Sequence, residues 1–488
     1  MKDQLIILNF DSSYAAALAS KLRAERISAR ILPGSTSAEQ IMNEGVLGVI
    51  LSGGTGGDLP GDLDGNLLRY GIPLLALGSA APAVTALMGG TVGEPLPVND
   101  VDTLFFEPSR ITNGLTESER LFGTIHELGL GADLQTLALY QGRPVGFAHQ
   151  KLPIFAIDCQ LEPNDPDMMS LMMQFATDVC GCTRWWGEDA FISAARAQIV
   201  EAAGGGRALC VMSGGLDSGV CAMLAHRALG DRLTCLFVDT GLLRENDVLE
   251  FSSYYKGAGL NLMVVNAEDR VLEALQGLTS QEDKRVALRG VLSDILNETA
   301  RGLDYGLLVD AQTSDYLFTG AVTPPQQNLV LEAQRIIAPL GDLFKSEVRQ
   351  VGEALGLPPE ITAMQPFPWT GLALRIIGEC TQDRLSLLRW ADARFRHEIN
   401  EAGLNKRLWK YFALLYDLPQ QGTDKSIVIG LRAVSISHIG SDLRALPARL
   451  PYDLLERYTQ QVMAHDERVN KVIYDLTPGQ GLQETEWQ

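Results

Sequence analysis

The sequence predicts an α/β protein with two parallel-sheet domains followed by a smaller α+β domain. In the first segment, short apolar runs alternate with amphipathic stretches, and this alternation indicates a parallel sheet covered on both faces. A second alternation of the same kind begins near Arg196, and a more mixed pattern begins near Gly371. The elements that support the first segment are Leu5–Leu8, Ala15–Arg26, Gly48–Leu51, Ile72–Leu77 and Ala80–Met88; those of the third are Gln382–Ala402, Ser426–Ser437 and Tyr452–Ala464.

Composition and charge exclude several classes of protein. The 488 residues are too many for one core, and 46% hydrophobic with 20% charged residues is ordinary globular composition. A net charge of −20 argues against broad contact with nucleic acid. No window approaches the roughly 18 uncharged apolar residues that a membrane span needs. We therefore expect a cytoplasmic protein, whose seven cysteines are reduced and bind no zinc.

A glycine-rich loop, Ser213 to Ser218, connects an apolar strand (Ala208–Met212) to a helix (Gly219–Leu229). Its two glycines let the backbone approach a ligand closely, and the loop amides together with the helix N-terminus form an anion site. Asp217 can hold the Mg²⁺ that accompanies a nucleotide. The chain has no G-x-x-x-x-G-K-[ST] motif. A ligand-free turn is the alternative, but the complete six-residue string favours phosphate binding.

Ser-Gly-Gly-x-Asp-Ser is the signature of the N-type ATP-pyrophosphatases, and the neighbouring blocks resemble the GMP synthetase family in the same order. These blocks are Leu233–Arg244, Ala267–Arg270, Lys284-Arg285, Leu343–Arg349, Pro366–Pro368, Leu431–Val434 and Glu486–Gln488. The resemblance implies an amidotransferase-like domain over residues 1–195, an adenine nucleotide alpha hydrolase-like ATP-pyrophosphatase domain over 196–370, and an α+β dimerisation domain over 371–488. It also implies a homodimer.

The resemblance assigns roles to individual residues. ATP would be held by Ser213, Gly214, Gly215, Leu216, Asp217 and Ser218, with Val238 at the adenine. Lys345 would act on the same phosphates, although without the resemblance it would be an ordinary helix-surface lysine. Arg375, Arg432 and Glu486 are either contacts to the acceptor or surface ion-pair residues. The implied cofactors are ATP and Mg²⁺, with Asp217 as the metal ligand.

The first segment resembles a class I glutamine amidotransferase that has lost its catalytic residues. Such a glutaminase needs a nucleophilic cysteine oriented against a histidine. Gly78 stands at the cysteine position and Gln160 at the histidine position, so that only Glu162 of the usual set remains. We expect no glutamine hydrolysis, with Ser79 and Cys159 structural. The nucleophile would be free ammonia, the product of a separate glutaminase, or a sulfur or amine donor.

The segments that would contact the acceptor also differ from those of the family. Gln326–Val330 replaces a His-His-Asn-Val-Gly-Gly loop, Trp369 replaces a glycine, and Thr477–Gly481 lacks the lysine of Lys-Pro-Pro. Because the ATP loop is intact, a changed substrate is favoured over a loss of activity. The leading hypothesis is a ligase that adenylylates an oxygen of a purine-like nucleotide, XMP or a related compound, and replaces it with an external nucleophile. The alternative is a catalytically silent nucleotide sensor or binding partner.

Overall fold

The computed structural model describes residues 3–10, 12–53, 63–97, 103–119, 121–122, 124–161, 165–314, 335–365, 367–418, 426–439 and 442–477. The chain forms two compact units, Met1–Ala194 and Ala195–Gln488. The predicted division at 370/371 falls inside the second unit, and the three-domain organisation stays a prediction. Within the described residues, no helix has the length and apolarity to cross a membrane.

The first unit contains a nine-stranded sheet. Its strands and those beside it are β1 (Gln4–Asn9), β2 (Ala29–Pro33), β3 (Val46–Ser52), β4 (Leu74–Leu77), β5 (Thr91–Leu96), β6 (Leu104–Phe106), β7 (Glu117–Ser118), β8 (Leu121–Phe122), β9 (Ile125–Gly129), β10 (Leu134–Tyr140), β11 (Arg143–His149), β12 (Ile154–Ile157) and β13 (Gln160–Leu161). The helices are α1 (Ser12–Ala24), α2 (Ala38–Asn43), α3 (Ala80–Leu87) and α4 (Pro166–Gln174), and α5 (Glu188–Ala203) continues past the end of the unit.

The large sheet has the order β2-β1-β3-β4-β12-β11-β10-β6-β7. Its first five strands are parallel. The apolar runs of β1, β3, β4 and β12 are buried, as the sequence predicts for a covered sheet, whereas the edge strand β2 is only partly buried. From β12 onward the pairing is antiparallel. This half was not predicted, because the described stretch from 103 to 149 adds strands without intervening helices.

The second unit begins with a five-stranded parallel sheet. Its strands are β14 (Ala208–Met212), β15 (Leu233–Asp239), β16 (Leu262–Asn266), β17 (Leu307–Val309) and β18 (Arg335–Ile337). The helices that accompany them are α6 (Leu216–Leu229), α7 (Asp247–Gly257), α8 (Glu268–Leu275), α9 (Gln281–Arg301), α10 (Lys345–Ala354) and α11 (Pro359–Thr362).

This sheet has the order β16-β15-β14-β17-β18. The chain leaves the first strand, β14, toward β15 on one side and later returns to β17 on the other. Open α/β sheets bind ligands at such a reversal of strand order, beyond the carboxyl ends of the strands. The topology therefore places the loop after β14 where a ligand site is expected.

The remaining part of the second unit is a mixed sheet with two long helices. It comprises β19 (Ile376–Ile377), α12 (Gln382–Glu401), β20 (Lys410–Asp417), β21 (Ile427–Ile439), β22 (Asp442–Pro447), α13 (Tyr452–His465) and β23 (Val469–Tyr474). Strand β21 pairs with β20 and β22 antiparallel and with β23 parallel. One apolar core joins these elements to α8 and α9, through residues such as Val271, Leu288 and Phe395.

Candidate functional site

The loop after β14 turns sharply into helix α6. Gly214 has a φ of +84°, a conformation that L side chains rarely adopt, and an added Cβ would lie 3.6 Å from the ring of Phe237. Gly215 is the N-cap residue, so α6 begins at Leu216, three residues before the predicted start. Asp217 and Ser218 therefore lie in the first helical turn, where the helix dipole favours anions.

The two loop serines brace this turn. The Ser218 hydroxyl donates to the Gly215 carbonyl at 3.0 Å and accepts from the Ser213 backbone N–H at 3.1 Å. The Ser213 hydroxyl lies 3.1 Å from that of Ser218, and it accepts from the Gly215 N–H at 3.4 Å. These bonds hold the loop in a compact shape, as a pre-organised anion site requires.

Lys345, the first residue of α10, contacts Asp217 of the loop, which lies 128 residues earlier in the sequence. Its Nζ lies 2.5 Å from Oδ2 of Asp217. The Asp217 side chain is 14% exposed, and its other oxygen, Oδ1, is buried without a hydrogen-bond partner. A buried carboxylate oxygen with spare acceptor capacity suits Mg²⁺, which is commonly held by one or two carboxylates together with substrate phosphates. Asp217 and the loop therefore fit a magnesium–nucleotide complex.

The loop opens into a cavity of about 640 Å³, a volume typical of small-molecule sites. Its walls include all six loop residues and Lys345. The other lining residues come from β14, the β15–α7 region, the end of β17 and the stretch around α11: Val211, Phe237, Leu243, Asp247, Glu250, Phe251, Tyr254, Asp310, Ala311, Gln312, Pro358, Glu360, Ile361, Met364, Gln365, Phe367, Pro368 and Trp369.

Of the aromatic residues in these walls, Trp369 was assigned to the acceptor side from the sequence, whereas Phe251 and Tyr254 were not singled out. The rings of Phe237 and Phe251 pack with centroids 4.7 Å apart, while Phe367 and Trp369 belong to a separate segment. Arg389 of α12 holds the loop after β15 by donating from Nε to the Leu243 carbonyl at 2.9 Å. Burial raises the pKa of Asp310, a further wall residue.

Val238 is not among the cavity-lining residues. Successive side chains of a strand point to opposite faces, so Phe237 faces the cavity whereas Val238 packs with Leu209 and Leu236 on a core beneath α9. The backbone of Val238 still lies in β15, next to the cavity strand β14. Its contact with adenine stays a prediction.

Arg375 and Arg432, the predicted acceptor contacts, are buried in internal polar networks. Arg375 lies 3.4 Å from Oδ1 of Asp392, and its guanidinium is 4.3 Å from the Phe412 ring centroid. Arg432 lies 3.2 Å from Oδ2 of Asp475 and donates to the Thr477 carbonyl at 2.5 Å. Neither arginine lines the cavity. Glu486 lies outside the described residues, as does the segment 326–330.

Gly78, which stands where the resemblance expects a nucleophilic cysteine, lies in the turn between β4 and α3. Gly78 follows β4 with a φ of +59°, and its N–H is shared between the carbonyls of Ile157 and Cys159. Gln160 lies in β13, whereas Glu162 lies outside the described residues. Cys159 is fully buried, and burial raises the pKa of its thiol, so it is not a ready nucleophile.

A buried histidine–aspartate pair lies next to this turn in the fold, because Asp158 stands between Ile157 and Cys159, whose carbonyls bind the Gly78 N–H. Asp158 Oδ2 accepts from the His126 backbone N–H at 2.6 Å and lies 2.8 Å from the imidazole Nδ1. Burial raises the pKa of Asp158 to about 6 despite these bonds. Sequence reasoning missed this pair, because nothing in the sequence links two positions 32 residues apart.

Comparison with known proteins identifies the family. Residues 397–481 match the GMP synthase C-terminal domain. Three relatives are each named glutamine-hydrolysing GMP synthase. The protein of Acetivibrio thermocellus is 31% identical over 510 residues, covering 98% of both chains; that of Caldicellulosiruptor saccharolyticus is 32% identical over 502 residues, covering 97% of both; and that of Clostridium perfringens is 31% identical over 519 residues, covering 98% of both. The chain belongs to the GMP synthase family of ATP-dependent ligases that form a carbon–nitrogen bond.

Proposed function

We propose that the protein activates an oxygen of a purine-like acceptor, XMP or a related compound, as an adenylate and replaces it with external ammonia. The observation that carries this proposal is the intact Ser213–Ser218 loop, with Lys345 2.5 Å from Asp217 in the wall of the cavity. Anion nests of this kind bind the phosphates of nucleotides. The cavity also has room for a nucleotide.

In the proposed first step, the acceptor oxygen attacks the α-phosphate of ATP, and pyrophosphate leaves with the electron pair of the broken P–O bond. The loop amides and Lys345 hold the departing phosphates, and a fixed cation stabilises the negative charge that develops there. When bound at Asp217, Mg²⁺ would neutralise part of the same charge. Ammonia then attacks the activated carbon, AMP leaves, and a carbon–nitrogen bond replaces the carbon–oxygen bond.

The ammonia would come from outside this chain. Its relatives are named glutamine-hydrolysing, but Gly78 and Gln160 stand where the resemblance places the cysteine and the histidine of a glutaminase. A glycine supplies no thiolate, and glutamine has no titratable ring for general acid–base work. Free ammonium or a separate glutaminase would supply the ammonia. The alternative is that a sulfur or amine donor takes the place of ammonia as the nucleophile. We also propose a homodimer formed through residues 371–488, which sedimentation of the purified chain would test.

Release of pyrophosphate tests the proposal. The full chain is incubated with Mg-ATP, ammonium and a panel of purine acceptors, and we expect acceptor-dependent release that Asp217→Ala abolishes. Glu353→Gln, which changes an exposed carboxylate of α10 outside the cavity, is the matched control and should retain the parent rate. Replacing ammonium with glutamine should stop turnover and leave at most one pyrophosphate per active site, because the proposed first step needs no ammonia.

Two outcomes would contradict the proposal. Binding of ATP without pyrophosphate release for any acceptor and any nucleophile would favour a nucleotide sensor or a binding partner of an active synthase. Ammonia production from glutamine would show that the first unit hydrolyses glutamine by other residues.

A further inference from the structure

We propose that Arg389 is a positioning residue for the nucleotide cavity: it fixes the loop between β15 and α7 and thereby sets the affinity for ATP. This inference rests on the proposed function, because it takes Mg-ATP to be the ligand of the cavity. Arg389 lies in α12 and is not itself a wall residue. Its effect on the ligand therefore passes through the loop, residues 240–246.

This loop forms part of the cavity wall and leads directly into α7. Leu243 of the loop lines the cavity, as do Asp247 and Glu250 of the first turn of α7. Strand β15, from which the loop emerges, pairs in parallel with β14. Because paired parallel strands end at the same edge of a sheet, the loop and the Ser213–Ser218 loop leave the sheet on the same side. A displacement of residues 240–246 would therefore change the walls of the nucleotide cavity.

The loop has little regular structure with which to hold its shape. Residues 240–246 contain no helix or strand. A short turn shapes the beginning, where Asp239 Oδ1 accepts from the Gly241 N–H at 3.0 Å. At the end, Asn246 has a φ of +65°, a conformation that persists in a non-glycine residue where the surrounding structure holds it. The conformation of the loop thus depends on its contacts with other elements.

Hydrogen bonds from α12 and from the short helix before β19 attach the loop to the fold. Arg389 donates from Nε to the Leu243 carbonyl at 2.9 Å, and its Nη2 donates to the Gly241 carbonyl. Between these two, the Leu242 carbonyl accepts from the Leu372 backbone N–H at 2.8 Å. Three consecutive carbonyls of the loop are therefore bound from the later part of the chain, and the arginine side chain binds two of them.

Arg389 differs in its partners from other arginines of α12. Arg384 pairs with Asp417, and Arg394 pairs with Glu398. Within the part of the chain that the structure describes, Arg389 binds loop carbonyls and no carboxylate. A guanidinium presents its donors in a fixed plane, so that one side chain can hold two carbonyls at a set spacing. Loss of this side chain would leave both carbonyls without their donor.

Binding of a nucleotide analogue tests this role without requiring turnover. The full-length parent, Arg389→Met and Arg389→Lys are titrated by calorimetry with Mg²⁺ and α,β-methylene-ATP, which is not cleaved between the α- and β-phosphates. We expect Arg389→Met to weaken binding about tenfold. Arg389→Lys should recover part of the loss, because an ammonium group donates to carbonyls but lacks the planar fork.

Arg394→Met is the matched control on the same helix. It removes a partly buried arginine that binds Glu398 and Gln461 and is not a wall residue. We expect it to leave the affinity for the analogue at the parent value, even where it lowers the melting temperature. An affinity loss that Arg394→Met reproduces, or parent affinity in Arg389→Met, would overturn the inference.

Steady-state pyrophosphate release separates this inference from the proposed function. Arg389→Met should raise KM for Mg-ATP about tenfold and change kcat by less than about threefold, because the loop acts on binding. A fall in kcat with an unchanged KM would refute the positioning role while the ligase proposal stands. If the parent binds the analogue and Arg389→Met weakens that binding, but no acceptor gives release, the positioning role stands and the ligase proposal fails. No binding of the analogue to the parent would overturn both.

Discussion

Lys345→Met tests the proposed role of the cation at the loop. Methionine keeps most of the length of the side chain but removes the charge that lies 2.5 Å from Asp217. Because the lysine side chain is 39% exposed, the ion pair should contribute only about 0–1 kcal/mol to the free energy of unfolding. A cation positioned on charge that develops in the transition state contributes more, about 2.7–4 kcal/mol by analogy with single oxyanion donors.

The expected result is a fall of about 10²–10³-fold in kcat/KM for pyrophosphate release. The assay measures release at a fixed, saturating concentration of the acceptor and varied Mg-ATP. Thermal unfolding is measured in parallel and should shift by less than about 4 °C. Lys256→Met, at an exposed lysine of α7 outside the cavity, is the control and should leave both quantities unchanged.

A loss of activity smaller than about fivefold would refute the reasoning, because an exposed lysine that merely pairs with Asp217 would cost no more than that. A large loss of activity accompanied by a large drop in the melting temperature would refute the reasoning as well. In that case, Lys345 would be required for the fold of the loop and would have no direct part in the chemistry.

Three further substitutions test the fold around the sites. Gly214→Ala forces a side chain into a φ of +84°, at a cost of about 1–2 kcal/mol, and should weaken Mg-ATP binding measured by calorimetry; unchanged affinity would contradict the strain argument. Gly219→Val should lower the free energy of unfolding by about 1–3 kcal/mol in urea, because a Cβ there would lie 2.0 Å from the Tyr255 hydroxyl; a neutral effect would mean that α6 and α7 separate easily. Burial raises the pKa of Asp158 to about 6, so the folded state loses stability as the pH rises from about 4 through 6. Asp158→Asn keeps an acceptor for His126 without the charge, and its melting temperature relative to the parent should rise over the same range; parallel pH profiles would contradict this.

The local elements of the second unit could be predicted because each has its own sequence signal. The buried strand Ala208–Met212 was predicted with the bounds that the structure has, and α6 ends at Leu229, before Gly230, as expected. The start of α6 was missed because glycine and serine do not favour a helix interior, whereas the Gly215 N-cap places the first turn at Leu216. The antiparallel half of the first sheet depends on pairing between distant strands, which no local pattern specifies.

The candidate site also contains some residues that the sequence identifies and others that only the fold brings together. The loop motif and Lys345 were found because a contiguous signature and a resemblance point to them, and the structure places Lys345 against Asp217. Trp369 was placed on the acceptor side from the sequence, but Phe251 and Tyr254 of α7 were not found, because each resembles an ordinary core residue. Only the fold decides which face of β15 is turned toward the cavity, and it selects Phe237 over its neighbour Val238.

Because the N-cap residue of α6 is Gly215, the stability of the first turn of this helix should depend on whether a ligand is bound. A serine or aspartate at this position would accept a hydrogen bond from the first helical amides, whereas glycine has no side chain with which to do so. Gly215 gives those amides no side-chain acceptor, and in the proposed function the phosphates of a nucleotide would accept hydrogen bonds from them. The nucleotide would then serve as the cap, and we expect the first turn of α6 to exchange its amide hydrogens more slowly once ATP is bound. Part of the binding free energy of ATP would then come from capping α6, a stabilisation that an N-cap side chain provides in other helices.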